Sequence, residues 1–290
     1  MTIEALKKRI KVTENLREIV GTMKALSSVS ILQYEQANTA LAQYRRNLQD
    51  AFQALIKQGG LPNSDVKAEH GKQLVILIGT DNGMVGKFNK EILDKAKADL
   101  KKQGVSLKNT LFLTIGKRIG GLAAQSNLKL YAKYAVANSV KMVNTIAETV
   151  IMKIDEATRR EQITNVCVWY HKRNKNESVS VQKQQIIPFD FAAYQKLKNK
   201  PWGTNNLPLI PIERKQMFAA LLNEYLTIAL ASQLNYSLAA EHYTRMTNMQ
   251  NAEKNIDESL EQMNLEYQQE RQENITDELI DVISGAEAVK

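Results

Sequence analysis

Residues 79–87 (GTDNGMVGK) follow an apolar run and carry three glycines and a lysine. That is the composition of a strand-to-helix turn whose backbone N–H groups could hold a phosphate. The spacing argues against it. A P-loop needs a glycine five residues before the Gly86-Lys87 pair, and that position is Asp81; Phe88 stands where Ser or Thr would reach Mg²⁺. The dinucleotide fingerprint G-x-G-x-x-G fails at the same place, because Asp81 occupies its first position. The turn is therefore expected to be structural. Metal chemistry is no better supplied: His70, His171 and His242 lie on separate segments, and with the single Cys167 they form no zinc pattern. Cys167 sits in an apolar run (163–170, ITNVCVWY) and is expected to be a buried thiol. The acids Glu253, Asp257, Glu258 and Glu261 fall at helical spacing and read as a solvated face. Neither G-x-S-x-G nor H-E-x-x-H occurs. No catalytic, cofactor-binding or metal-ligating residue is assigned, and an enzyme is disfavoured.

The elements that would carry these residues are set by the helix breakers. All five prolines (Pro62, Pro188, Pro201, Pro208, Pro211) fall between 62 and 211. Residues 1–58 hold only Gly21, and residues 212–284 hold neither Gly nor Pro. In a helix interior Gly costs about 1 and Pro about 3 kcal/mol relative to Ala. Both ends can therefore be long helices, the second about 110 Å if it runs unbroken at about 1.5 Å per residue. Tyr34, Ala37, Leu41, Tyr44, Leu48, Ala51 and Leu55 recur at steps of 3 and 4, and Ile3, Leu6, Ile10, Leu16, Val20, Met23 and Leu26 keep a looser stripe upstream. Leu222, Tyr225, Ala229, Ser232, Tyr236, Ala239, Tyr243 and Met246 answer from the other end. The phase then slips to Met249, Ala252, Ile256, Leu260, Met263 and Tyr267. These are seams for an antiparallel coiled coil.

The middle reads as α/β. Strands are expected at 73–79, 110–115, 163–170 and 178–187, the last two as a hairpin through the 174–176 turn. Helices are expected at 88–102, 117–125 and 139–160, and strands alternating with helices imply a three-layer domain with a mostly parallel sheet. The expected organisation is an N-terminal coiled-coil helix over 1–60, an inserted three-layer, Rossmann-like α/β domain over 72–195 and a C-terminal coiled-coil helix over 212–286. The chain of 290 residues carries a net charge of +8, distributed as +4 over 1–60, +12 over 61–211 and −8 over 212–290. A basic first helix complements an acidic last one. The basic middle admits a second class, a coiled-coil nucleic-acid-associated structural protein with a basic head. No signal peptide or membrane span is expected, and one cysteine allows no intramolecular disulfide.

Both ends resemble the gamma subunit, or central stalk, of rotary F-type ATP synthases. Residues 19–28 (IVGTMKALSS) are similar to the family's I-T-K-A-M-x-x-V-A-A stretch, with Met23 at its methionine. Residues 225–249 resemble Y-L…S-x-A-S-E-H-x-A-R-M-x-A-M, matching at Tyr225, Leu226, Ser237, Glu241, His242, Arg245, Met246 and Met249. Residues 271–289 resemble the terminal R-Q-x-x-I-T-x-E-L-x-E-I-V-x-G-A-x-A at Arg271, Gln272, Ile275, Thr276, Glu278, Leu279, Ile283, Gly285 and Ala286. Asp81, Gly83, Met84, Gly86 and Asn89 are similar to the family's S-D-R-G-L-C-G-G-L-N turn, with Lys87 in place of the second glycine of its pair. Gly21 and Thr22 also depart from the pattern, which suggests a divergent branch, such as the alternative bacterial ion-pumping ATPases. The resemblance implies a non-catalytic subunit of a proton- or sodium-translocating F-type ATP synthase. Its helix pair would stand inside an alpha3 beta3 hexamer, and its α/β domain would meet the epsilon subunit and the membrane c-ring. It implies a peripheral place on the cytoplasmic side of a bacterial cell membrane. It also implies partner contacts at Met23, Arg245, Gln272 and Thr276, with Met23 near the level of Arg245. No cofactor, metal or nucleic acid is implied.

Overall fold

The computed structural model describes residues 2–59, 71–190, 194–204 and 206–288; Pro62 and His70 lie outside them. The first helix, α1, runs Ile3–Lys57. It ends where Gly59 takes φ +84 and donates its N–H to the Ile56 carbonyl at 3.0 Å, the left-handed stop that glycine makes cheap. The last helix, labelled α5, runs Arg214–Ala288. Between them come β1 (Lys72–Ile78), α2 (Phe88–Lys102), β2 (Thr110–Ile115), α3 (Lys117–Gln125), β3 (Leu130–Tyr134), α4 (Val140–Glu161), β4 (Ile163–Arg173) and β5 (Val179–Ile187).

The strands form one sheet in the order β3-β2-β1-β4-β5, parallel throughout except for β5, which pairs antiparallel with β4. The pairing β1–β2 is in simple register from Gln73 opposite Thr110 to Ile78 opposite Ile115. The fold is α/β as the alternation of elements implies. One strand, β3, has no counterpart in the sequence reading: it is a five-residue edge strand, mostly half-buried, with Lys133 inside it, so neither length nor apolar content marks it. The hairpin closes over 174–178, with the Asn174 N–H donating to the Ser178 carbonyl at 2.8 Å.

The chain forms two compact units, one of Ser30–Thr244 and one of Met1–Val29 with Arg245–Lys290. In the larger unit the strand pleat sorts the core. Leu74, Ile76 and Ile78 of β1 face α4 (Val143, Ala147, Val150, Ile154), Tyr34 of α1, and Leu230, Ala231, Leu234, Leu238 and Ala239 of α5. Val75 and Leu77 face α2 and α3 through Ile92, Leu93, Ala96, Ile119 and Ala123. Three layers result, with the helix pair serving in one of them. Almost every residue from Thr227 to Glu241 is buried. By composition alone α5 contains an 18-residue window apolar enough to cross a membrane, but most of that window is inside the protein, as in any core helix.

Within this unit α1 and α5 are antiparallel: Tyr34 stacks on His242, Arg45 donates to Ser232 Oγ at 2.8 Å, and Phe52 meets Tyr225 edge-on at 6.3 Å. The seam keeps Tyr34, Leu41, Leu48 and Leu55, but its other positions are Ile31, Asn38, Arg45 and Phe52; Tyr44 is exposed, and Ala37 and Ala51 are only half-buried. Phe52 explains the shift. Its ring is fully buried among Phe189, Tyr194, Phe218 and Tyr225, and burying so large a ring outweighs burying the neighbouring alanine.

In the smaller unit the direction is the same, with ion pairs Arg17–Asp257 at 2.6 Å and Lys24–Glu253. Here the expected stripe holds in part. Leu6 is buried and Ile3, Ile10 and Val20 are half-buried, but Leu16 and Leu26 are exposed.

Phe52→Ala should destabilise the chain by about 3–5 kcal/mol, the usual cost of emptying a fully buried aromatic site. Leu32→Ala, on the same helix but exposed, should stay within about 0.5 kcal/mol of wild type. Urea midpoints at constant slope read both.

Candidate functional site

The glycine turn after β1 was the sequence's nearest approach to a ligand site, and its geometry shows what fills it. Gly79 lets the strand end pass under α3: a Cβ there would lie 2.6 Å from Ile119 Cβ and 2.3 Å from Asn89 Oδ1. Asn89, at the start of α2, accepts the Thr80 N–H at 3.0 Å and donates its Nδ2 to Thr80 Oγ1 at 2.9 Å, and Thr80 Oγ1 donates to the Asn82 carbonyl at 2.8 Å. Gly116, at φ +126, gives up its side chain so that the backbone of Gly79 and Thr80 can approach. Asp81 then reaches across. Its Oδ1 accepts the Lys117 N–H at the start of α3 at 2.7 Å, and its Oδ2 accepts the Val136 N–H at 3.2 Å. A helix N-terminus offers its free N–H groups to an anion, and here the chain's own carboxylate takes one of them.

The other place to look is the crevice at the carboxyl ends of β1 and β4, where connections leave in opposite directions and open α/β sheets bind ligands. It is closed by protein. His171, at the end of β4, lies flat on Phe88 with ring centroids 3.6 Å apart, and Phe88 packs with Val85 and with Ala240 of α5. Ser237 Oγ donates to the Ile78 carbonyl at 3.4 Å. Burial, and secondarily the charge of Lys95, hold His171 neutral, with its pKa lowered to about 3. Cys167 is buried on the α2 side, where desolvation pushes the thiol up; Gln73 Nε2 donates to its sulfur at 3.4 Å. It reads as a structural thiol. His242 stacks on Tyr34 at 5.7 Å.

The four residues expected at partner contacts do not come together. Arg245 is 6 % exposed, Met23 is half-buried, and Gln272 and Thr276 are exposed on one face of α5, where Thr276 Oγ1 donates to the Gln272 carbonyl at 2.9 Å. Met23 is also not at the level of Arg245. The pair Lys24–Glu253 puts it beside residue 253, two turns further along α5, about 12 Å at 1.5 Å per residue. Gln272 lies still further on.

What sequence reasoning missed is that Leu16 and Leu26 belong to a second stripe of α1, which faces outward. The face paired with α5 carries Arg17, Lys24 and the buried Ser27. The more apolar face stays open: Val12, Leu16, Ile19, Leu26 and Val29 are all about half-exposed or more, Ile19 at 56 % and Leu26 at 63 %. Positions 12, 16, 19, 23 and 26 step by 4, 3, 4 and 3, so Met23, half-buried, lies at the edge of this open stripe. On α5, Leu265, Ile275, Leu279, Val282 and Ile283 are likewise exposed. The signal was present as two competing periodic stripes; periodicity alone cannot say which one a chain keeps for itself.

Two long helices around an α/β insertion, a filled turn in place of a nucleotide site and an uncovered apolar helix face define a structural subunit of a larger machine. A family model described as ATP synthase matches residues 2–289. The ATP synthase gamma chain of Geotalea uraniireducens is 25% identical over 291 residues, covering 100% of this chain and 99% of that one. That of Campylobacter curvus is 27% identical over 308 residues, covering 99% of each. In fold, the chain is similar to a chain of the Euglena gracilis mitochondrial ATP synthase OSCP/F1/c-ring structure, with a TM-score of 0.64 at 16% identity over 99% of this chain and 94% of that one. A chain of the central stalk and c-ring structure from Tetrahymena thermophila gives 0.56 at 18% identity, covering 81% and 99%. The chain belongs to the ATP synthase gamma-chain family. It is therefore a non-catalytic subunit, and the nucleic-acid-associated alternative falls away.

An unfolded chain protonates His171 near pH 6.5, whereas the folded chain holds it neutral to about pH 3. The stability this costs appears as pH falls through that window, at up to about 1.4 kcal/mol per pH unit. His171→Leu should flatten the stability–pH profile between those values by one proton's worth, read from denaturation curves at a series of pH values.

Proposed function

We propose that this chain is the central rotor shaft of an F-type ATP synthase, coupling ion-driven rotation of a membrane ring to ATP synthesis or hydrolysis in the catalytic subunits. The observation that carries this reading is the open apolar stripe of α1. A helix that pairs through its more polar face and leaves Val12, Leu16, Ile19, Leu26 and Val29 uncovered keeps that face for another protein. A sleeve around the paired helix ends, formed by an alpha3 beta3 hexamer, meets that need. Apolar contact is non-directional, so it lets a shaft turn inside its sleeve where a ring of ion pairs would hold it at one angle.

In this reading the functional division is 1–60 and 212–286 as shaft helices and 72–195 as the part that meets the epsilon subunit and the c-ring. The translocated ion is a proton or sodium, and the complex sits on the cytoplasmic side of a bacterial cell membrane, in a divergent ion-pumping branch of the family. Met23 contributes to the sliding face, where a flexible apolar side chain adapts to changing partners. Gln272 and Thr276 offer polar contacts from α5, and Arg245 acts from a recessed position.

Copurification of the wild-type chain with a hexameric ATPase tests the reading directly. Leu16→Asp together with Ile19→Asp should leave the isolated chain folded, because both positions are exposed, and should abolish its incorporation into the hexamer. Unimpaired incorporation would remove the sleeve argument.

Gln272→Ala should incorporate normally, leave the isolated chain's stability within about 0.5 kcal/mol and lower turnover in the assembled complex. Arg245→Ala should also lower turnover, but being buried it should destabilise the isolated chain by more than about 1 kcal/mol. Hydrolysis assays and melting curves separate the two.

A further inference from the structure

A shaft transmits torque only as well as its foot is locked to its stem, and most of the contact between the sheet and the helix pair cannot lock anything. Leu74, Ile76 and Ile78 meet Leu230, Ala231, Leu234, Leu238 and Ala239 through apolar surface, which resists separation but does little to resist sliding. Directional contacts between the sheet and both helices converge at the end of β4. Arg173 donates Nη1 to Glu35 Oε1 of α1 at 2.9 Å and Nη2 to Glu177 Oε1 in the hairpin turn at 3.2 Å. The same guanidinium lies over the Tyr243 ring of α5, 4.5 Å from its centroid. Its neighbour Lys172 lies 4.5 Å from the centroid of Tyr236, about two helical turns away on α5.

We infer that Arg173 is a positioning residue that fixes the angle of the sheet against α1 and α5, so that torque applied to the α/β domain reaches the helix pair without slack. The inference rests on the rotor reading above. The planar guanidinium suits the task because its fork sets direction at two carboxylates while its face takes an aromatic ring. Glu35 and Arg173 are both partly exposed, so the pair adds little to global stability. Its contribution is to angle, and that separates a positioning role from a purely structural one.

The test uses the complete ATPase complex with the hexamer fixed to a surface and a bead on the α/β domain through Met152→Cys. Met152 is well exposed and Cys167 is buried. The readout is the angular spread of the bead during pauses of ATP-driven rotation, alongside hydrolysis rate, ion pumped per ATP, and melting of the isolated chain. Arg173→Met, which keeps the stem and removes the fork, should broaden the spread and lower ion pumped per ATP at unchanged hydrolysis and melting temperature. Glu35→Gln should broaden it in the same sense, and Arg173→Lys should restore part of the loss. A spread in Arg173→Met equal to wild type overturns the inference. So does a broadening that comes only with a matching fall in melting temperature, or that Arg173→Lys fails to reduce. A wild-type complex that hydrolyses ATP without turning the bead overturns the rotor reading and the inference with it.

Discussion

The middle of α5 is buried on every side, and most of the molecule follows from how that is achieved. A helix placed between a sheet and another helix has no solvent face for polar groups. Residues 227–241 meet this with Ala229, Ala231, Ser232, Ser237, Ala239 and Ala240, small enough for neighbours to approach the helix closely on more than one side, and with Leu230, Leu234 and Leu238 to fill the space against β1. The arrangement carries a cost. Gln233 and Asn235 are drawn inside with side-chain atoms that have no hydrogen-bond partner among the described residues, and each such atom is expensive. The same burial makes α5 part of the core of the α/β domain as well as half of a coiled coil, so the domain has no independent existence from the helix that follows it.

Where α5 leaves the sheet the physics changes. From Arg245 to Glu270 it has one partner helix and its burial falls to a stripe; from Arg271 to Ser284 its side chains are exposed. The contact there is mixed: ion pairs such as Arg17–Asp257, a few apolar residues such as Leu6 and Met263, and a glycine, Gly21, facing Glu253. A seam of this kind is weak by coiled-coil standards. It leaves the better apolar surface of α1 to whatever encloses the pair, so the helix pair in this unit depends on its surroundings in a way that the α/β unit does not.

Much of this was legible in the residues. Breaker placement gave both long helices, and apolar runs gave β1, β2 and β4 with their intervening helices, because each is long and uniformly apolar or strictly periodic. β3 was not legible because it is short, at an edge and half-polar. The seam was legible only in part. Over 34–55 the repeat Tyr34, Leu41, Leu48, Leu55 is correct, but the choice between Ala51 and Phe52 depends on aromatic neighbours from 189–225 that no local pattern reveals. Over 3–26 the stripe is correct at Leu6 and in part at Ile3, Ile10 and Val20, but Leu16 and Leu26 belong with Val12, Ile19 and Val29 on an outward face that the same spacing fits equally well. For the site, the failed phosphate spacing pointed to a structural turn, and Asp81, the residue that broke both motifs, proves to be the group that makes it structural. The function came from residues 225–249 and 271–289, whose matches to a family are specific although no chemistry can be read from them alone.

Asp81 has one further consequence. A carboxylate tied to the turn by its own backbone is present at the α3 N-terminus at an effective concentration that dissolved phosphate or nucleotide must match before it can compete. Free ATP, ADP and phosphate rise and fall with the energy state of a cell, and a domain that bound them would change shape with supply and demand. With Asp81 as an internal ligand, the chain itself already occupies the place that such a metabolite would have to take.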